Sequence, residues 1–402
     1  MMNVGRSFPL SKFGWTMRLL ASRSSFGNRI AGFTFGLLLL LIAVGAAAET
    51  EVDNKSGPPP IRQLPRENLL LFQDADGQVQ PVKTKADWEL RKQKTLQSMT
   101  ALIGAPPSDE RRCPLDVKVE SETDMGSYVR RRITFQSESG CRTPAFLLIP
   151  QGALQESAGK FPAVLALHPT HSQGPKEMVG LGESRERMYA KELAERGYVV
   201  IAPYYPTLGG YQPDLKQLGW ESGTMKSIWD NSRCLDLLDS LPYVQSGKYA
   251  AIGHSLGGHN SVFIATFDPR IAAVISCCGL DSFVDYKAGD PGNWEHGRGW
   301  CQDRYVPKLA AYQGRLQEIP FDFYELVAML APRPTMIIAP LRDSNFQPDS
   351  VDRIAAAARP VFGLHGAADN LQVVHPDTEH TFPMEMHEPA YRLIDRVLKP
   401  KS

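Results

Sequence analysis

Tyr249-Ala250-Ala251-Ile252-Gly253-His254-Ser255-Leu256-Gly257-Gly258 is the stretch on which the reading of this chain turns. Its first four residues read as a short buried strand, and Leu256 to Phe267 reads as an apolar helix. Between them stands a serine with a glycine two places away on either side. In a strand, turn and helix carrying G-x-S-x-G the turn is sharp and strained. The glycines let strand and helix pack closely around it, and the serine hydroxyl stays exposed at the edge of a sheet. Ser255 is therefore the candidate nucleophile, and the bland alternative is a glycine-rich turn with a solvent-facing serine.

Outward from this turn, short apolar strands alternate with helical stretches. The strands are Ala145 to Ile149, Ala163 to Leu167, Tyr198 to Ala202, Tyr249 to Ile252, Ile271 to Cys277, Thr335 to Ala339 and Leu371 to Val374. Arg185 to Arg196, Thr224 to Leu241 and Leu256 to Phe267 read as helices. Such alternation predicts an α/β fold: a mostly parallel twisted sheet with helices on both faces and functional groups just after the strands. Upstream, Asp87 to Ile103 reads as a helix closed by Gly104. Leu115 to Val119 and Tyr128 to Phe135 read as an antiparallel pair.

With 402 residues, 43% hydrophobic and 22% charged, the chain sits within the globular range. Its formal net charge of zero hides an asymmetry, because residues 1–48 hold five basic residues and no acid, leaving 39 basic against 44 acidic residues beyond them. A mildly acidic chain without a basic, aromatic-interleaved stripe has no means of holding a phosphate backbone, so nucleic acid is excluded as a partner. The basic stretch to Arg29, the apolar run from Phe33 to Val44 and Ala46-Ala47-Ala48 have the layout of a secretory signal. The chain is expected to be secreted or periplasmic; an uncleaved N-terminal anchor is the alternative and the only route to a membrane. Residues 49–110 read as a Pro-rich linker and a helical extension, and 111–402 as the main domain with a cap-like insertion at about 280–331. Export permits disulfides, and Cys113 with Cys141 is the one pair proposed among six cysteines.

A serine hydroxyl needs a base, and the base an orienting acid. His380 stands in a loop between the last strand and the last helix, at the catalytic edge and in the chain order nucleophile, acid, base. Asp343 follows the strand Thr335 to Ala339, whereas its rival Asp369 precedes the last strand and belongs at the wrong end of the sheet. The charge that develops on a carbonyl oxygen needs donors. Leu256 supplies a backbone N–H at a helix start, and Thr170 is the nearest donor after Leu167, since Pro169 has none. His168 and His171 form an H-x-x-H without the third ligand that zinc enzymes carry, so no metal is expected. Without a Walker loop or an early G-x-G-x-x-G, no nucleotide cofactor is expected either.

At these residues the chain resembles the α/β-hydrolase superfamily, in its dienelactone-hydrolase-like and acetyl xylan esterase-like branch. The resemblance spans roughly residues 110–400. It rests on the turn at Ser255, on Leu193-Ala194-Glu195-Arg196-Gly197-Tyr198, on Ala331-Pro332-Arg333-Pro334 and on His380-Thr381-Phe382. It implies the α/β-hydrolase fold and a Ser255, Asp343, His380 triad. A serine where dienelactone hydrolases use cysteine argues against that activity, and His168-Pro169-Thr170 replaces the superfamily's H-G-G loop.

Trp294, Trp300 and Tyr305 in the insertion are candidates for a sugar or acyl pocket, with ordinary core packing as the alternative. The expectation is a secreted, cofactor-free serine esterase acting on short-chain, acetyl esters of a small molecule or polysaccharide. Two other classes remain: a serine peptidase of the prolyl-oligopeptidase type, which normally carries a propeller for which 49–110 is too short, and a non-catalytic binding protein on the same fold.

Overall fold

The computed structural model describes residues 64–155 and 159–399. All of them belong to the unit Ile61–Ser402, so the expected signal segment and most of the linker lie outside the described residues.

A hairpin, β1 (Leu71–Gln73) and β2 (Val79–Pro81), precedes helix α1 (Lys85–Ile103). Thr84 caps α1 reciprocally with Asp87: the Asp87 N–H donates to Thr84 Oγ1 at 3.2 Å, and the Thr84 N–H to the Asp87 carboxylate at 2.8 Å. Strands β3 (Lys118–Asp124), β4 (Tyr128–Glu138) and β5 (Cys141–Pro150) follow, then β6 (Phe161–Leu167), helix α2 (Tyr189–Glu195) and β7 (Val199–Pro203). Helix α3 (Gly223–Ser240) leads to β8 (Val244–His254), α4 (Leu256–Phe267) and β9 (Ile271–Cys277). After a stretch of 3₁₀ turns come α5 (Phe323–Ala328), β10 (Thr335–Ile338), α6 (Pro348–Leu364), β11 (Leu371–Val374) and α7 (Met384–Leu398).

One nine-stranded sheet runs β11-β10-β9-β8-β6-β7-β5-β4-β3. It is parallel from β11 through β7 and antiparallel from β7 through β5 and β4 to β3. The central strands are apolar on both faces because both faces are covered. In β6, Ala163, Leu165 and Leu167 pack into the core beneath α3, α4 and α6, while Val164 and Ala166 pack against α2 and α7. Burying each of the valine and leucine side chains among them contributes about 1.5–3 kcal/mol.

Two expectations need correction. The strand at Ala145 to Ile149 pairs antiparallel with β7 rather than joining the parallel set. The first strand of the N-terminal pair runs over Lys118–Asp124, not Leu115 to Val119. Every residue of β3 is exposed, as suits a sheet edge, so it has no alternation to read.

The six cysteines are free, which overturns the Cys113–Cys141 disulfide. Cys113 Sγ faces the Gln136 carbonyl at 3.8 Å and Cys141 Sγ faces the Tyr211 hydroxyl at 3.4 Å. Among the described residues no helix is long and apolar enough to cross a membrane.

Candidate active site

Strand β8 delivers the chain to Ser255 at φ 55° and ψ −121°, the left-handed side that a serine rarely adopts and that costs about 1–3 kcal/mol. The surroundings enforce it. A Cβ on Gly253 would stand 2.2 Å from the carbonyl carbon of Gly257, and one on Gly257 would stand 2.0 Å from the Leu167 oxygen. Only glycine lets β8, α4 and β6 approach this closely. The Ser255 N–H is fixed to the Cys277 carbonyl at 2.8 Å, and the side chain is left at the start of α4.

His380 Nε2 lies 2.9 Å from Ser255 Oγ, and His380 Nδ1 lies 2.9 Å from both carboxylate oxygens of Asp343. The loop after β10 and the loop after β11 are laced together by backbone bonds. Leu341 N–H donates to the Pro376 carbonyl and Arg342 N–H to the Thr378 carbonyl, each at 3.0 Å. Asp343 also accepts the N–H groups of Asn345 (2.7 Å) and Phe346 (3.1 Å). Its side chain is 2% exposed and that of His380 25%.

Burial alone would raise the Asp343 carboxyl, but the bond from His380 and these backbone donors hold it below its ordinary value. Burial alone would lower the His380 imidazole, yet the Asp343 carboxylate outweighs it and the ring is held up at about 9. The neighbouring Cys278 thiol strengthens that hold only when ionised. Burial pushes this thiol well up, so Asp343 is the effective partner.

The structure brings Asp343, and not Asp369, to His380. Asp369 is exposed in a 3₁₀ turn before β11. Leu256 is the first residue of α4, where a helix amino end presents free N–H groups. Thr170 lies in the loop after β6, exposed, with Oγ1 3.0 Å from the Tyr305 hydroxyl. Of the H-x-x-H pair, His168 is fully engaged by backbone: Nδ1 meets the Pro169 oxygen at 2.6 Å and Nε2 accepts the Tyr205 N–H at 2.9 Å. Neither nitrogen is free for a metal.

Trp294 is wholly buried, edge-on to Phe283 and Tyr286, so the expectation that it lines a pocket gives way to the core reading. Trp300 stacks on His259 at 4.4 Å and on Phe346 at 6.3 Å, and packs edge-on against Tyr305 at 5.1 Å. Phe346 in turn lies 5.8 Å from the His380 ring. Trp300 and Tyr305, each 7% exposed, thus belong to an aromatic wall that runs up to the candidate base. His254, which precedes Ser255 in the sequence, lies with its ring centroid 5.0 Å from that of His380, and Phe346 is a neighbour of the site that the sequence did not reveal. The Asp343-Ser344-Asn345-Phe346 turn, whose aspartate accepts the N–H groups two and three residues on, was the available signal for Phe346.

The fold is that of the α/β-hydrolases, and the proteins to which this chain is similar include hydrolases and esterases. Residues 217–366, a stretch that holds Ser255 and Asp343 and stops before His380, match the family model described as glucuronyl esterase, fungi. Hydrolase YtaP of Bacillus subtilis is 26% identical over 269 residues, which is 64% of this chain and 84% of that protein. A 4-O-methyl-glucuronoyl methylesterase of Wolfiporia cocos is 25% identical over 183 residues, 42% of this chain and 45% of that one. A glucuronoyl esterase from Solibacter usitatus has a TM-score of 0.64 at 19% identity, over 82% of this chain and 97% of its own.

Proposed function

We propose that this chain is a serine carboxylic-ester hydrolase that cleaves carbohydrate esters through an acyl-enzyme on Ser255. The observation that carries the reading is the unbroken relay of 2.9 Å contacts from Ser255 Oγ through His380 to Asp343. Neutral His380 takes the Ser255 proton at Nε2 as Oγ attacks the ester carbonyl, and Asp343 stabilises the imidazolium that forms. The Leu256 N–H meets the oxyanion, with Thr170 as the second donor. The imidazolium then returns its proton to the departing alcohol. Water, activated by the same His380, releases the acid and restores Ser255.

For the substrate, the matching family model and one relative are named for glucuronoyl esters, in which the sugar acid is the acyl group. The aromatic wall of Trp300, Tyr305 and Phe346 supports a sugar ring bound beside His380, since aromatic faces suit the apolar faces of sugars. We therefore place an alkyl ester of a glucuronoyl sugar first and an acetyl ester of the same kind of polysaccharide second, with export directed by residues 1–48. A panel of methyl glucuronoate, acetylated xylan, p-nitrophenyl esters of two to sixteen carbons and a prolyl peptide tests this. Glucuronoate or acetate release should lead, and Ser255→Ala should abolish it. Fastest turnover at eight carbons or more, or faster amide cleavage, would overturn the reading in favour of a lipase or a peptidase.

A further inference from the structure

Beneath the relay lies an imidazole with nothing to do. His254 is 2% exposed, and neither ring nitrogen has a hydrogen-bond partner. Such a group costs about 1–3 kcal/mol of lost hydration unless something uses it. By contrast His168 is held by backbone at both nitrogens, and His387 by Glu192 and the Phe382 carbonyl. The ring of His254 lies tilted at 49° to that of His380, 5.0 Å away between centroids. Close by is Cys278, a residue 2% exposed that follows β9 at φ 48°, with its thiol 3.3 Å from the Thr381 carbonyl, one residue beyond His380. One ligand atom from each of His254, Cys278 and His380 lies within 4.8 Å of the others.

We infer that His254, Cys278 and His380 form a binding site for a borderline-soft divalent cation of the Zn²⁺ type, and that its occupation silences the catalytic base. Two imidazole nitrogens and one sulfur are the donor set such ions take, at about 2.0–2.1 Å to nitrogen and about 2.3 Å to sulfur. The three atoms must draw together by about an ångström to reach a tetrahedral ion, a side-chain adjustment, and water or Ser255 Oγ completes the fourth position. Binding releases the Cys278 S–H proton and the proton that His380 carries below about pH 9 to solvent, forms an S–metal bond, and leaves both imidazoles donating lone pairs; no electrons are transferred. Both nitrogens of His380 already serve the relay, Nδ1 to Asp343 and Nε2 to Ser255. Whichever one the metal takes, the relay is broken.

Inhibition depends on His380 being the base, whereas metal binding does not, so the test reads the two separately. Chelator-treated full-length protein is titrated with Co²⁺ and watched for thiolate-to-cobalt absorbance in the near ultraviolet. The band should appear at one ion per chain in the wild type, in Ser255→Ala and in Cys277→Ala, and be absent from Cys278→Ala and Cys278→Ser. In parallel, Zn²⁺ inhibition is measured against each variant's own metal-free turnover. It should be reversed by chelator and weakened about tenfold or more when Cys278 is replaced, as expected for the loss of one ligand. No thiolate band in the folded wild type, a band that survives in Cys278→Ser, or undiminished Zn²⁺ inhibition in both Cys278 variants would overturn the site.

Discussion

Asp343 gives the account its sharpest test at the scale of the residue, because two aspartates competed for one role. Asp343→Asn leaves an amide where His380 needs a carboxylate, and turnover should fall by roughly 10⁴-fold, as loss of the orienting charge does in other triads. Asp369→Asn, in an exposed turn at the opposite end of β11 from the His380 loop, should change it by less than about twofold. The same carboxylate sets the pH response. His380 acts as base only when neutral, and its imidazolium is stabilised up to about 9, so kcat/KM should climb with an apparent pKa above the ordinary 6.5. Folding stability runs the other way. The pair's contribution is whole below about pH 6.5 and is lost as pH rises through about 9, so the pH range that activates the enzyme loosens it. A kcat/KM profile already flat above pH 6 would contradict this hold on the imidazole. That Ser255, His380 and Asp343 come together was legible because chain order and post-strand position constrain them. The same was not true of His254 and Cys278, since nothing in a sequence says which buried ring lacks a partner.

At the scale of the element, strands and helices with strong apolar patterning were readable, and helix α4 falls where the sequence places it, Leu256 to Phe267. What escaped was governed by tertiary context. Strand β3 is wholly exposed, β5 takes its antiparallel direction from its neighbour β7, and α6 carries Pro360 within its length. The stretch between β9 and β10 shows the same limit. Its aromatics looked alike in sequence, yet Trp294 is sealed in the core and Trp300 stands in the wall leading to His380. The two tryptophans should therefore separate by experiment. Trp294→Phe should lower the melting temperature and leave KM within about twofold. Trp300→Phe should raise KM for the carbohydrate ester more than it lowers the melting temperature. The reverse pattern would return both residues to plain packing.

At the scale of the whole molecule, the sheet is pinned to α3 by a buried charge cluster that no motif announced. Lys226 Nζ, fully buried, lies 2.6 Å from Asp230 and 2.8 Å from Glu138, while Tyr211 and Trp220 donate to the same two carboxylates. Lys226→Met strips the buried Asp230 carboxylate of its cation, while Glu138 keeps Arg111 at 2.6 Å, and should cost about 3–5 kcal/mol of unfolding free energy, read as a shifted denaturant midpoint. A loss below about 1 kcal/mol would mean that solvent reaches the cluster. This framework holds three loops from distant parts of the chain in register, so that one serine meets one histidine. The most direct measurement of that outcome is intact-mass and peptide mapping after treatment with a fluorophosphonate. The account predicts a single adduct on Ser255 of the wild type, and none in folded Ser255→Ala or His380→Ala. A folded wild type that takes no adduct, or Ser255→Ala that keeps its esterase turnover, would contradict it.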